Sequence, residues 1–447
     1  MGKALLLVLI CLMPLVGLTG CYDASELDDT VHVTVIGIDK GEAEQLRLIV
    51  QFPTIKGSEG GGSVESSGEG KDQEGYTFVA VDAPSFFTGV NLLNSAIPRR
   101  LNFTHAQTLV ISGELAKEGQ IGELMAPIIR NRQIRRSLHV VVTRGTALDF
   151  IKDAKPLLGT SIAKAMDSSS KVAEESGYTP HSTLMNFYHA MKSPDGQPIA
   201  ILAGQNDFTN LSKDTAMRQE GFGGQYYAGE IPRLGGNKTE FFGTALFDGD
   251  RMVGELNGGE TSLMLMCRGE YNRGFFTIPD PQYAEQVVVL DVRQVKQPEV
   301  EVSFLEDGMP VIDLRLQLEG DILSVPSRIN YESQELKPVL EEAFGRYIKG
   351  KLDDLIVKCQ GLHTDVFYFG RTAVRQFNTI QAWEEYGWKQ QFPYAEVNTE
   401  VEFTIRGMEP CLRVLPSSPA RVLSNGSLII NHCYFMDLHL YVQLCQI

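Results

Sequence analysis

From Tyr76 onward the hydrophobic period of the chain keeps switching, and this restricts its fold more than any other feature. Tyr76–Asp82 has the two-residue alternation of a strand. Pro84–Ile97 carries apolar residues at helical spacing, with Phe87, Val90, Leu93 (or Asn94) and Ile97 along one side. Thr108–Ser112 then reads as a strand, Ile121–Arg130 as a helix and Leu138–Thr143 as a strand. Thr146-Ala147-Leu148-Asp149 is a capping box opening a helix that carries Phe150 and Ile151. Strands alternating with helices need crossover connections, so this region is an α/β module with parallel pairing. Ahead of it, Val31–Asp39 and Leu46–Phe52 are β-rich runs joined by Lys40-Gly41-Glu42, an expected hairpin. Lys56–Gly75, rich in Gly, Ser and Glu, cannot bury a core and is read as a flexible loop. Thr183–Met191 closes the module as a short helix, followed by a turn at Ser193-Pro194-Asp195-Gly196.

The second half has a different rhythm. Residues 206–238 are polar and glycine-rich, which places a linker there. Gly243–Phe247 and Arg251–Leu256 flank Asp248-Gly249-Asp250, a hairpin signal. Three strands are expected next. The clearest is Val311–Glu319, where Ile312, Leu314, Leu316 and Leu318 alternate with Asp313, Arg315, Gln317 and Glu319, so one face of that sheet is wet. Glu335–Gln360 is the longest expected helix. Leu336, Leu340, Phe344, Tyr347, Ile348, Leu352, Leu355, Ile356 and Cys359 form its apolar stripe, suited to cover the dry face. Val397–Ile405 is a final strand. The second module is therefore α+β, with a mostly antiparallel sheet and one long covering helix.

Where the chain resides is set by its start. Lys3, the apolar runs Ala4–Met13 and Leu15–Leu18, and the small residues before Cys21 have the order of a secretory signal peptide. Leu18-Thr19-Gly20-Cys21 is a lipobox. Cys21 would be alkylated by a diacylglyceryl group and become the new N-terminus, and two or more acyl chains anchor a protein stably. A spanning helix is the competing reading, but Ala4–Gly20 is slightly short and Pro14 interrupts it.

A chain of 447 residues, 43% hydrophobic and 21% charged, is long enough for two or three domains and ordinary for a globular protein. The net charge of −16 excludes a general attraction to nucleic acid, which rests on cations neutralising phosphates. By the same net charge the protein would not lie flat on anionic lipid, leaving the tether to Cys21. Beyond Cys11 and Cys21 the cysteines are Cys267, Cys359, Cys411, Cys433 and Cys445, with no Cys-x-x-Cys. The chain is not a disulfide scaffold.

No catalytic signature is present: there is no Gly-x-Ser-x-Gly, His-Glu-x-x-His or phosphate loop. His105, beside Arg99 and Arg100, is read first as a capping or packing residue. His363 and Asp365 are close enough to share a hydrogen bond, although a turn after the long helix explains them as well. Arg130, Arg132, Arg135 and Arg136 cluster at a helix end, where cations meet the carbonyl dipole favourably; the alternative is a docking patch for an anion. His432, Cys433, His439 and Cys445 match no short zinc module. No catalytic, cofactor or metal residue is therefore assigned, and Cys21 is the one expected modification site.

Together these residues resemble the Ger(x)C spore-germination lipoproteins, the C subunits of nutrient germinant receptors. The likeness starts at Leu18-Thr19-Gly20-Cys21-Tyr22-Asp23-Ala24-Ser25-Glu26-Leu27 and continues through Thr34–Lys40, His105 and Ile111–Gly119. Arg130–Arg135, Gly243–Gly254, Glu260-Thr261, Asp365, Phe369, Gly370, Trp383 and Trp388 follow in the family's order. The resemblance implies a non-enzymatic subunit without cofactor, on the outer face of the spore's inner membrane. It would act with the membrane-embedded A and B subunits to couple nutrient binding to germination. An extracytoplasmic solute-binding lipoprotein is the alternative. Two departures stand out: Lys56–Gly75 is long for a hairpin connection, and the chain continues some forty residues past the family's last strand with three cysteines and few charges. A changed reading frame near Arg406 is the favoured explanation for that tail, and a genuine extension the other. The expected organisation is a signal peptide at 1–20, an α/β module at 21–205, a linker at 206–238, an α+β module at 239–407 and an atypical tail at 408–447.

Overall fold

The structure, a computed structural model, describes residues 29–53, 76–154, 176–209 and 224–406, with Gly2 and Lys171 as isolated positions. The chain divides into Met1–Arg406 and Gly407–Ile447. Cys21, the signal peptide apart from Gly2, the whole of the 56–75 loop, Cys411, the four candidate zinc residues and the rest of the 408–447 tail lie outside the described residues.

The first module contains, in chain order, β1 (Thr30–His32), β2 (Val35–Lys40), β3 (Leu46–Pro53), β4 (Tyr76–Ala83), α1 (Phe86–Ala96), β5 (Arg100–Asn102), β6 (Thr108–Ser112) and α2 (Gly113–Glu118). It continues with α3 (Ile121–Arg130), β7 (His139–Thr143), α4 (Ala147–Asp153), α5 (Leu184–Lys192) and β8 (Ile199–Gln205). β2, β6, β7 and β8 run parallel to one another, and β3 and β4 extend the sheet as an antiparallel meander. Every residue of β6 and β7 is buried, because both faces of the sheet are covered. One face packs under α1, α3 and α5, through Phe86, Leu93, Ile121, Met125, Ile128, Leu184 and Phe187. The other packs under Ala147, Phe150 and Ile151 of α4.

Several local expectations shift. The run Val31–Asp39 splits into β1, which pairs with β5 in parallel, and β2. In α1, Ser85 accepts the Thr88 amide and fixes the helical phase. Phe86 then points into the core and Phe87 is 48% exposed. Thr146 does cap α4, accepting from the Asp149 amide.

The hairpin β9 (Thr239–Asp248) and β10 (Arg251–Leu256), assigned by sequence to the second module, joins the first module's sheet. β9 pairs antiparallel with β8, giving eight strands in the order β10-β9-β8-β7-β6-β2-β3-β4. Within the hairpin Gly243 must be glycine: its φ is +96°, and a Cβ would stand 2.3 Å from the Leu256 carbonyl oxygen. The described end of 206–238 is also packed, with Asn206 Nδ2 donating to the Ile231 carbonyl and to Glu240, both at 2.7 Å.

Helix α6 (Gly258–Arg268) follows, opened by a capping box between Asn257 and Glu260. It is buried nearly all round because it packs against both the hairpin and the second sheet. That sheet holds four strands before the long helix rather than three: β11 (Arg273–Pro279), β12 (Val287–Gln294), β13 (Glu299–Phe304) and β14 (Pro310–Ser324). They are antiparallel. Helix α7 (Lys337–Gly361) buries Leu340, Phe344, Ile348, Leu352, Leu355, Ile356 and Cys359, each such apolar side chain worth about 1.5–3 kcal/mol relative to exposure. Short helices α8 (Phe369–Ala373), α9 (Ile380–Tyr386) and α10 (Trp388–Gln391) lead to β15 (Glu396–Ile405). β15 pairs with β14 in parallel, because α7 to α10 form a crossover between them. Ile312, Leu314, Leu316 and Leu318 are buried and Asp313 and Arg315 exposed, so the sheet has the dry and wet faces read from the alternation.

Candidate functional site

The loop leaving α7 gathers the side chains with the most chemical potential. Two of its residues, His363 (φ 54°) and Tyr368 (φ 69°), have left-handed backbones without being glycine, which costs free energy unless the surroundings enforce it. At Tyr368 that enforcement comes from Asp365. Its carboxylate accepts from the amides of Phe367 (3.1 Å), Phe369 (3.3 Å) and Gly370 (2.8 Å) and from the indole nitrogen of Trp388 (2.9 Å). Gly370 must be glycine here, since a Cβ would sit 2.7 Å from Trp388 Nε1. Burial pushes the Asp365 carboxyl above its usual value, opposed by these hydrogen bonds. His363 is not a partner of Asp365, so of the two readings of this pair the turn after the long helix is the one that holds. Trp383 and Trp388 are stacked and buried.

Tyr368, turned outward by the same loop, has a guanidinium on each side: the Arg268 carbon lies 3.8 Å from the ring centroid and the Arg371 carbon 3.5 Å. Arg268 ends α6, and its side chain is only 1% exposed. Its Nε donates to the Val366 carbonyl, Nη1 lies 3.8 Å from Glu270, and Nη2 has no hydrogen-bond partner. Beside this group is a cavity of about 360 Å³, lined by His181, Asn186, Phe187, Gln197, Leu265 and Arg268 among others. A second hollow of about 500 Å³ shares Asn186, Ala190, Glu270 and Tyr368 with it and adds His189, Lys192 and Arg371. The resulting cleft lies between α5 and the 363–371 loop. Apart from Glu270 its ionisable side chains are basic or phenolic, so it is suited to hold a small anion. Ser182, in the same wall, donates its hydroxyl to the Ile199 carbonyl at 2.7 Å and is not presented as a nucleophile.

Sequence reading did not find Arg268, Tyr368, Arg371 or His181. They come from three distant stretches, and no local pattern joins them. Of the residues it did single out, His105 stacks on His32 with ring centroids 4.4 Å apart. Burial, and then the charge of His105, lower the pKa of His32. The arginines Arg99, Arg100, Arg130, Arg132, Arg135 and Arg136 lie at one end of the eight-stranded sheet, far in sequence from the cleft's own cations. Cys267 and Cys359 are unbridged and buried, and burial pushes both thiols well up, which makes them inert packing groups. Among the described residues no group of His, Cys, Asp or Glu is arranged to hold a metal ion, and no helix is long and apolar enough to cross a membrane.

Two family models match the chain in succession. The spore germination protein N-terminal domain covers residues 23–203, and the spore germination B3/GerAC-like C-terminal domain covers residues 242–409. YfkR of Bacillus subtilis (strain 168) is 22% identical over 417 residues, covering 90% of this chain and 95% of that protein. Spore germination protein KC of the same organism is 20% identical over 424 residues, covering 91% and 96%. The crystal structure of the GerBC protein aligns with a TM-score of 0.47 at 14% identity, covering 83% of this chain and 96% of that one. On the two consecutive matches, this chain belongs to the Ger(x)C family of spore germination proteins.

Proposed function

We propose that the chain is the lipid-anchored, non-catalytic subunit of a nutrient germinant receptor. In this reading Cys21 carries the acyl chains that hold it on the outer face of the spore's inner membrane. Its surfaces couple or assemble the membrane-embedded A and B subunits, so that nutrient binding leads to germination. The carrying observation is that both family regions follow one another directly behind the lipobox Leu18–Cys21. The hydroxyl and thiol groups noted above are committed to backbone bonding or packing, which favours a role worked by surfaces.

The test has two arms. Deleting the gene should abolish or strongly slow germination by the nutrients this receptor serves, while chemical triggers still work. Normal germination with every nutrient, in a strain lacking paralogous receptors, would refute the role. Radioactive fatty acid should label the native chain and not the Cys21→Ala variant; label kept by the variant would refute the anchor.

A second reading has one observation behind it. The cleft beside Tyr368, at about 360 Å³, is within the size range of small-molecule sites, and suits a solute-binding lipoprotein. Calorimetric titration of the protein with candidate nutrients separates the two, since the first reading requires no nutrient binding by this chain.

A further inference from the structure

The geometry points to the arginine-bearing end of the eight-stranded sheet as a membrane-facing surface that meets anionic lipid headgroups and orients the tethered protein. This inference rests on the anchor at Cys21 proposed above.

The placement follows from topology. Val35, Thr108 and His139 are in register as the first residues of the parallel strands β2, β6 and β7. The segments that lead into those strands therefore emerge at the same end of the sheet. They are residues 29–34, 99–107 and 130–138. Side-chain and backbone contacts hold them together: Thr30 pairs with Arg100, His32 stacks on His105, and the Phe103 amide donates to Gln133 Oε1 at 3.2 Å.

These three segments carry Arg99, Arg100, Arg130, Arg132, Arg135 and Arg136, and their one carboxylate is Asp29. All six arginines except Arg99 are exposed. Elsewhere Arg47, Arg144, Arg233, Arg273, Arg293 and Arg315 each meet a carboxylate. The six at this end form no ion pair among the described residues. On a chain of net charge −16, such a concentration of unneutralised cations is a local inversion of sign.

The chain's path selects the partner. Thr30, opposite Arg100, is nine positions from Cys21, a reach of at most about 30 Å even when fully extended. The anchor thus draws this end, rather than the acidic wet face of β13, β14 and β15, towards the bilayer. Net charge is a poor guide to the outcome, because the headgroup potential decays within roughly 10 Å. What matters is the charge on the face presented. Asp23, Glu26 and Asp28 in the connecting stretch oppose the attraction, so binding by the patch alone should be weak and salt-sensitive, sufficient to orient a protein that the acyl chains already hold.

The test uses the chain without its signal peptide and with Cys21→Ala, so that no lipid contributes. Co-flotation is measured with phosphatidylcholine vesicles and with vesicles containing equal phosphatidylglycerol, at low and high salt. The expected result is binding to the anionic vesicles only, lost at high salt. The combined variant Arg132→Glu, Arg135→Glu, Arg136→Glu should lower it at least tenfold, given on the order of fivefold per cation near a charged surface. Thermal melting checks that this surface variant folds. A control with equal charge change, Arg346→Glu, Lys351→Glu, Arg375→Glu, should bind as before. Equal binding to both vesicle types, or an unaffected patch variant, would overturn the inference and leave an acidic protein partner as the occupant. Fatty-acid labelling of Cys21 is read separately, so loss of the anchor and loss of the patch give different results.

Discussion

The indole nitrogen of Trp388 donates to Oδ2 of Asp365 at 2.9 Å, with the two side chains' residues 1% and 3% exposed. This bond closes the loop after α7 onto the helices that precede the last strand. Replacing Trp388 by Ala should cost about 3–5 kcal/mol, as for other buried aromatics. Trp388→Phe keeps much of the ring volume but leaves the carboxylate short of one donor, at about 1–3 kcal/mol. Chemical denaturation of the two variants measures both. Unchanged stability combined with failed receptor assembly would make Trp388 an interface anchor instead.

Acid sensitivity should trace partly to Asp82. Hydrogen bonding to Arg47, together with the amides of Ala43 and Glu42, holds its pKa at about 2, below the ordinary 3.8. The folded state thus binds the proton less well than the unfolded state. The contribution is complete above about pH 4 and is lost as the pH falls through about 2. Its size is about 1–2 kcal/mol, allowing for partial solvent screening. Asp82→Asn should flatten the stability profile between those pH values. An unchanged slope would show that the pair does not contribute.

Tyr368 combines a left-handed backbone with a ring held between two guanidinium groups. Tyr368→Ala loses the cation–π contacts and keeps the backbone strain. Tyr368→Gly loses the same contacts but relieves the strain, so it should be more stable than the Ala variant by roughly 1 kcal/mol. Paired melting curves decide it; a less stable Gly variant would mean that flexibility in the unfolded chain outweighs the relief.

Ending the chain after Arg406 should leave melting and germination unchanged, or improve the yield. The family match stops at residue 409, and the Arg406 amide still bonds the Gly320 carbonyl at 2.8 Å. The residues beyond are apolar and rich in cysteine, a composition prone to aggregation. Unfolding of the truncated protein would make the tail integral.

Much of the architecture was legible because hydrophobic period reports burial directly. α3 and α7 have clear helical periods, β6 and β7 are continuous apolar runs rich in β-branched residues, and each formed close to its expected bounds. β8 was missed because Ile199-Ala200-Ile201-Leu202-Ala203-Gly204 lacks both alternation and a run of β-branched residues; its neighbours β7 and β9 make it a strand. The phase of α1 was misread by one residue because Phe86 and Phe87 are equally apolar, and the Ser85 cap decides between them. The parallel pairing of β15 depends on a crossover running from Ser324 to Glu396, which a local pattern cannot carry. In the site, Asp365 and Trp388 were found as members of a recurring block. Their hydrogen bond was not, and neither was the approach of Arg268 to Tyr368 across about a hundred residues of chain.

The β9–β10 hairpin has a consequence for how members of this family can be recombined. β8 and β9 are hydrogen-bonded neighbours, yet the gap between the two family matches, after residue 203 and before residue 242, opens near the end of one and closes near the start of the other. A chimera spliced in that gap would graft a foreign hairpin onto the edge of β8 and bring a foreign residue to the irregular register around Gly243. Shifting the crossover past Leu256 would carry each eight-stranded sheet over whole, and would leave the contacts of α6 as the junction to be matched between parents.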